Sequence, residues 1–127
     1  MILPEQYFTR SEAALAAARV LRDAGFTFEA VSRGYYAAFY TASALLASNG
    51  ISLTKHSAVV ARYGLLYART AVLDPRYHWL LISAGRLRIR ADYGPWDGSV
   101  KPRDAEWVIS EATEFLVAVR EFMRSQG

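Results

Sequence analysis

The chain contains no cysteine. A disulfide framework, a thiolate metal site and cysteine-based catalysis are therefore excluded, and nothing calls for an oxidising compartment. The opening "MILPEQYFTRSEAAL" has no basic start followed by an apolar stretch and brings a glutamate at position 5, so no signal peptide is expected and a cytoplasmic location fits. Long hydrophobic runs are missing as well. The longest uncharged segment, Gly34 to Thr54, is broken by Tyr35, Tyr36, Tyr40, Thr41, Ser43, Ser48 and Asn49, which suits a buried helix of a soluble bundle and not a membrane span. There are no repeats, low-complexity tracts or linkers, and no stretch alternates like a strand.

The usual signatures of chemistry are equally scarce. No glycine-rich phosphate loop, Ser-His-Asp ordering or carboxylate pair at catalytic spacing stands out. Of the two histidines, His56 and His78, neither has a glutamate three residues before it, as an inward-facing di-metal carboxylate bundle requires, so no metal and no cofactor is expected. By position alone His56, early in a helix, could also serve a phosphotransfer bundle.

What is present is enough apolar material for a core. Of 127 residues 53% are hydrophobic and 13% aromatic, which offsets the entropy of ordering one domain spanning 1–127. The net charge of +3 is unevenly spread: residues 31–85 and 86–103 carry +4 and +3, while 1–30 and 104–127 carry −1 and −3. A basic centre between acidic ends suggests a face that meets a polyanion.

Periodicity predicts helices throughout. The first runs from Pro4 to Ala24 with Tyr7, Ser11, Ala14, Ala18 and Leu21 on one stripe and Gly25 as its stop. The second follows Thr27, ends at Asn49-Gly50, and turns Phe28, Val31, Tyr35, Phe39, Ala42 and Leu46 inward as the central core helix. The third starts near Thr54 as N-cap, carries Val59, Val60, Tyr63, Leu66 and Tyr67, and fades before Leu73. Asp74-Pro75 reads as N-cap and first residue of a fourth helix reaching Tyr93, stopped by Gly94-Pro95. The last opens near Pro102 and shows Ala105, Ile109, Ala112, Leu116, Val119 and Met123 on one face. Short connections make successive helices antiparallel, so the expected fold is an all-α, up-and-down four-helix bundle with one additional short helix.

The segment "GRLRIRADYGPW", Gly85 to Trp96, concentrates charge on the fourth helix. Arg86, Arg90 and Tyr93 fall on one side, whereas Arg88 and Asp92 share another with Gly85 and Leu81. Arg88 should thus be partly buried, with Asp92 placed to hold it, by a bidentate bond or by no more than a weak i,i+4 ion pair. Arg33 and Tyr36, three apart on the second helix, are positioned to face Arg88 or to pack in the core; Trp96 could stack a base or cap the bundle's end.

"SRGYYAAFYTASALLASNG" (Ser32 to Gly50), then "TKHSAVV" (Thr54 to Val60), then "RIRADYG" (Arg88 to Gly94) resemble the HEPN domains, in particular a branch of small proteins reading R-x-Y-Y-A-x-F, T-H or K-H, and R-x-x-A-D-Y. The resemblance spans the whole chain. It implies an all-α bundle that forms a homodimer, usually encoded beside a minimal nucleotidyltransferase in toxin–antitoxin modules, with RNA as the target and no membrane. In catalytic members the toxin is a metal-independent endoribonuclease, in which an arginine steadies the phosphate and a histidine a short spacer later moves the proton, two copies meeting across the dimer interface.

Arg88 matches that arginine. The histidine has no counterpart, because positions 93 to 95 hold Tyr93, Gly94 and Pro95. Either His56 reaches the same cleft, or Tyr93 acts after a downward pKa shift driven by Arg86 and Arg90. In some relatives the nucleotidyltransferase adenylylates a tyrosine beside the arginine motif, which would make Tyr93 a regulatory target. The catalytic candidates are thus Arg88, Asp92, Tyr93 and His56, with Arg33, Tyr36, Arg86 and Arg90 for binding nucleic acid or nucleotide. The alternative is a non-catalytic HEPN module whose basic cleft binds nucleotide, nucleic acid or the nucleotidyltransferase.

Overall fold

A computed structural model describes residues 2–95 and 97–126. Five α-helices make up the fold: α1 (Pro4–Asp23), α2 (Thr27–Ser48), α3 (His56–Tyr63), α4 (Arg76–Tyr93) and α5 (Pro102–Gln126). No strand occurs among the described residues. The four long helices form the bundle and α3 is the short extra one. The ring of contacts runs α1–α2–α4–α5 and back to α1, and α2 also packs directly on α5 across the middle. α2 therefore touches every other helix, as its continuous apolar face requires: Val31, Tyr35, Phe39, Ala42 and Leu46 are all buried.

The α2–α5 crossing is close because Gly34 has no side chain. A Cβ there would lie 2.7 Å from Cγ1 of Val108, which is fully buried. Between α1 and α2 the packing includes a buried polar contact. The Ser11 and Thr41 hydroxyls lie 2.9 Å apart and reach the Ala37 carbonyl at 2.9 and 3.0 Å, so two buried hydroxyls and a carbonyl satisfy one another.

The observed α5 buries a wider face than its expected stripe. Val108 and Phe115 are fully buried beside Ala105, Ile109, Ala112, Leu116 and Val119, because α5 packs on α1, α2 and α4 together. A second, smaller cluster of Ala30, Val31, Ala91, Val100 and Ala105 closes one end of the bundle beneath the α4–α5 connection. No helix among the described residues is long and apolar enough to cross a membrane.

The largest departures from the sequence reading surround α3. Thr54 is not its N-cap: the helix begins at His56 behind an extended Lys55, with no side-chain cap. Ile51 and Leu53, two residues apart, both pack on the core, and that period holds 51–55 in an extended path. At its far end α3 widens into a π-helical turn, Gly64–Ala68. The wider turn leaves Leu65 and Leu66 outside while Tyr63 and Tyr67 stay buried, contrary to the inward placement expected of Leu66. Ala71, at φ 57°, then reverses the chain, and the Leu73 N–H donates to the Tyr67 carbonyl at 3.1 Å.

α4 starts one residue later than expected, with Pro75 as the residue before its first turn. The Asp74 carboxylate accepts the Arg76 N–H at 3.0 Å, and Pro75 already has helical angles.

Candidate functional site

Three elements converge beside the exposed edge of α2. α2 supplies Ser32, Tyr35, Tyr36 and Phe39, the first turn of α3 supplies His56, and α4 supplies Arg88 and Asp92. The His56 ring stacks on Phe39, 4.1 Å between centroids and 26° between planes, and meets the edge of Tyr36 at 5.6 Å. Its Nδ1 lies 3.1 Å from the Tyr35 hydroxyl and 3.5 Å from Nη2 of Arg88. The Arg88 guanidinium sits over two rings, 5.3 Å from Tyr35 and 5.6 Å from Tyr36, and its side chain keeps only 14% of its exposure.

Placement follows from helix geometry. Arg88 and Leu81 share a stripe of α4, so the guanidinium is drawn toward the α2–α3 junction, with Gly85 one turn earlier leaving space for the Tyr35 ring. A Cβ at Gly85 would lie 3.3 Å from that ring. Arg88 Nε is buried and has no partner among the described residues, so one charged donor remains unused at the floor of the cleft.

Burial sets the electrostatics of the cleft, and the Arg88 charge modifies them. Burial first, and the Arg88 charge second, hold the His56 pKa below its ordinary 6.5, so the ring is neutral at neutral pH. Burial raises the Tyr35 pKa despite the opposing pull of Arg88, so its phenol stays protonated. The Arg88–Asp92 pair is looser than a bidentate bond: one carboxylate oxygen lies 3.7 Å from Nη1, and the same oxygen accepts from the Ser32 hydroxyl at 3.4 Å. Asp92 marks the rim of the cleft and engages only the outer nitrogen, while Nη2 faces His56.

The structure thus brings together Arg88, His56, Tyr36 and, at the rim, Asp92. Arg33 joins them from behind, its guanidinium 4.7 Å from the Tyr36 ring, so Tyr36 lies between two cations. Tyr93 does not join them. Five residues beyond Arg88 it has turned to the opposite side of α4 and is 78% exposed, outside the cleft of its own subunit. Arg86 and Arg90 are exposed on α4; Arg86 lines the outer lip of the groove between α3 and α4 and Arg90 lies beyond it. His78 packs against Gly64, and Trp96 lies outside the described residues.

Reading the sequence alone misses Tyr35, Phe39 and Ser32. The available signal is aromatic spacing: Tyr35, Tyr36 and Phe39, next to Arg33, fill the same helical face one turn apart.

An all-helical bundle with an arginine–histidine cleft at the α2–α3–α4 junction defines a class, and the sequence comparison agrees: residues 4–122 match the HEPN domain model, and the chain belongs to that family. Among relatives, a UPF0332 protein of Gloeobacter violaceus is 37% identical over 122 residues, covering 94% of this chain and 97% of the relative. Two proteins of Methanocaldococcus jannaschii, each bearing the name "Putative toxin", are both 30% identical, covering 90% and 97% of this chain and 84% and 83% of their own lengths.

Proposed function

We propose that this HEPN protein is the toxin or toxin-like subunit of a two-gene module with a minimal nucleotidyltransferase, and that it cleaves RNA without metal as a homodimer. The observation that carries this reading is the approach of Arg88 to His56, Nη2 to Nδ1 at 3.5 Å, on an aromatic floor. A permanently charged guanidinium beside a neutral imidazole is the pair that metal-free phosphodiester chemistry needs. In the tautomer this chemistry requires, Nδ1–H is donated to the Tyr35 oxygen, the Arg88 approach to Nδ1 is electrostatic and no hydrogen bond, and Nε2 keeps its lone pair. That nitrogen takes the proton of a ribose 2′-hydroxyl as its oxygen attacks the adjacent phosphorus. Arg88 holds the charge building on the phosphoryl oxygens, the 5′-oxygen leaves with a proton taken from water, the imidazolium returns its proton to the hydroxide so formed, and the products are a 2′,3′-cyclic phosphate and a free 5′-hydroxyl.

The homodimer is favoured by the outer face of α4. Trp79, Ile82, Arg86, Ile89 and Tyr93 follow one another at the seven-residue spacing of a helix seam, and Trp79 and Ile89 are 57% and 54% exposed. Beside this seam runs a groove of about 450 Å³ whose lining includes Val60, Leu81, His56 and Arg88. Pairing two α4 helices there would set the two clefts side by side.

The non-catalytic reading draws on Tyr93, Gly94 and Pro95, which stand where catalytic relatives place their histidine. Purified protein incubated with total cellular RNA in chelator separates the two. Cleavage lost in both Arg88→Ala and His56→Ala supports the nuclease; RNA left intact by the parent protein supports the binding module.

A further inference from the structure

The cleft does not end at His56. An unbroken line of rings leaves it along α2 and crosses to α1: His56 to Tyr36 at 5.6 Å, Tyr36 to Tyr40 at 5.9 Å, and Tyr40 to Tyr7 at 6.4 Å between centroids. Arg33, Tyr36 and Tyr40 occupy positions i, i+3 and i+7 and so share one face of α2. Arg10 of α1 leans over Tyr40 at 6.0 Å, and Arg33 over Tyr36 at 4.7 Å. Between the helices lies a groove of about 310 Å³, bounded by Arg10, Arg33 and Tyr40 and floored by Ala13, Ala14 and Ala17. The alanines keep it open, since a larger side chain at those positions would fill it.

Several arginines lack a carboxylate partner, but Arg10 and Arg33 alone among the described residues combine that with a seat on a tyrosine ring. Arg22 pairs with Asp23 and Glu106, Arg76 with Glu111 and Glu114, and Arg120 with Glu5 and Glu12. Apart from Arg22–Asp23, which lies within α1, those pairings tie α5 to α1 and α4. Arg10 and Arg33 have no carboxylate within 4 Å among the described residues and rest on tyrosine faces. A guanidinium without a counter-ion can swing to a phosphate at the loss of only a weak ring contact, and the ring it uncovers can receive a base.

We infer that the α1–α2 groove, through Arg10, Arg33 and Tyr40, is a track for single-stranded RNA that guides the strand flanking the scissile phosphate into the Arg88–His56 cleft. The inference rests on the proposed RNA-directed function and adds to it a substrate form and two residues, Arg10 and Tyr40, with no earlier role. A duplex would not fit this use, because its bases are already stacked and cannot reach tyrosine rings set between helices. Backbone charge and ring stacking together predict binding that is tolerant of sequence and weakened by salt.

The test is fluorescence anisotropy with a labelled twelve-nucleotide oligouridylate, titrated with the full chain at several salt concentrations, while cleavage is followed on the same samples. Arg10→Ala is expected to weaken binding about tenfold and to lower the salt slope by about one phosphate contact. Tyr40→Leu is expected to weaken binding fivefold or more, and Tyr40→Phe, which keeps the ring, to restore it. Arg124→Ala, on the far end of α5, serves as the control for general surface charge. Arg10 is exposed, so its replacement does not put the fold at risk. A parent protein that cleaves RNA while Arg10→Ala and Tyr40→Leu bind as tightly overturns the track alone. An equal loss in Arg124→Ala does the same. A parent protein with no affinity for the oligonucleotide overturns the track, and if RNA is also left intact the nuclease reading falls with it.

Discussion

The Tyr35 hydroxyl lies 3.1 Å from Nδ1 of His56, joining the middle of α2 to the first turn of α3 across 21 positions of sequence. This bond orients the imidazole, and it gives a substitution whose effect is confined to one atom. Tyr35→Phe keeps the ring under Arg88 and removes the bond, so RNA cleavage should fall roughly two- to tenfold, the worth of one net hydrogen bond. Initial rates on a fluorogenic ribo-oligonucleotide measure it. A rate equal to the parent's would show that the phenol does not orient the base.

His56 also gives the protein a pH signature. A base whose pKa is lower folded than unfolded gains protons on unfolding wherever the two values bracket the pH. Stability should therefore decline as pH drops from 6.5 through the lower folded value, with no contribution from this group above that window. Denaturation midpoints between pH 8 and pH 5 should show the decline in the parent protein and a smaller one in His56→Gln. Proton NMR of the ring should place its titration below 6.5. A midpoint above that value would contradict the buried, cation-flanked site.

Tyr63 is fully buried and its hydroxyl has no hydrogen-bond partner among the described residues. Burial pushes its pKa far above the ordinary phenol value, so the group stays neutral and pays only for desolvation. Tyr63→Phe should leave stability unchanged or raise it by about 1 kcal/mol. Thermal unfolding decides, and a marked loss would reveal a partner for that oxygen.

Ala71 occupies the left-handed region at φ 57°, which costs an L-residue about 1–2 kcal/mol relative to its usual conformations. Ala71→Gly should relieve most of this and stabilise the fold by about 1 kcal/mol after the added chain entropy is counted. The expected rise in Tm is a few degrees.

At Gly34 the balance runs the other way. Alanine would favour the helix by about 1 kcal/mol, yet its Cβ would press on Val108, and overpacking costs about 1–3 kcal/mol. Gly34→Ala alone should lower Tm, and pairing it with Val108→Ala should remove the clash and make the two changes non-additive.

The α4 seam predicts an assembly change. Ile89→Glu should convert a dimer to a monomer in sedimentation equilibrium, and cleavage should fall with it; a parent protein that is already monomeric would refute the paired-cleft arrangement.

Much of this architecture was legible in the sequence because periodicity reports burial. The stripes of α1, α2 and α5 were visible, as were the Asp74-Pro75 start and the Gly94-Pro95 stop of α4. The α3 region was not. Ile51 and Leu53 impose a period of two on a segment too short to betray it, and a π-helical turn has no compositional mark that separates it from an α-helical one. At the site, helix geometry gave the partial burial of Arg88 and its nearness to Asp92, while the looseness of that pair depends on tertiary placement. The neighbourhood of His56 was beyond local reasoning, since its ring rests on residues of another helix. The same limit hid Tyr35, which reads from sequence as an ordinary core aromatic.

Because α2 borders all four other helices, no partial opening can expose its middle turns while leaving the remainder intact. Their amide protons should exchange only through complete unfolding, slower than those of α3 or the α4–α5 connection. The platform formed by Tyr35, Tyr36 and Phe39 thus inherits the longest lifetime in the molecule, and any breathing near the cleft must come from the histidine side.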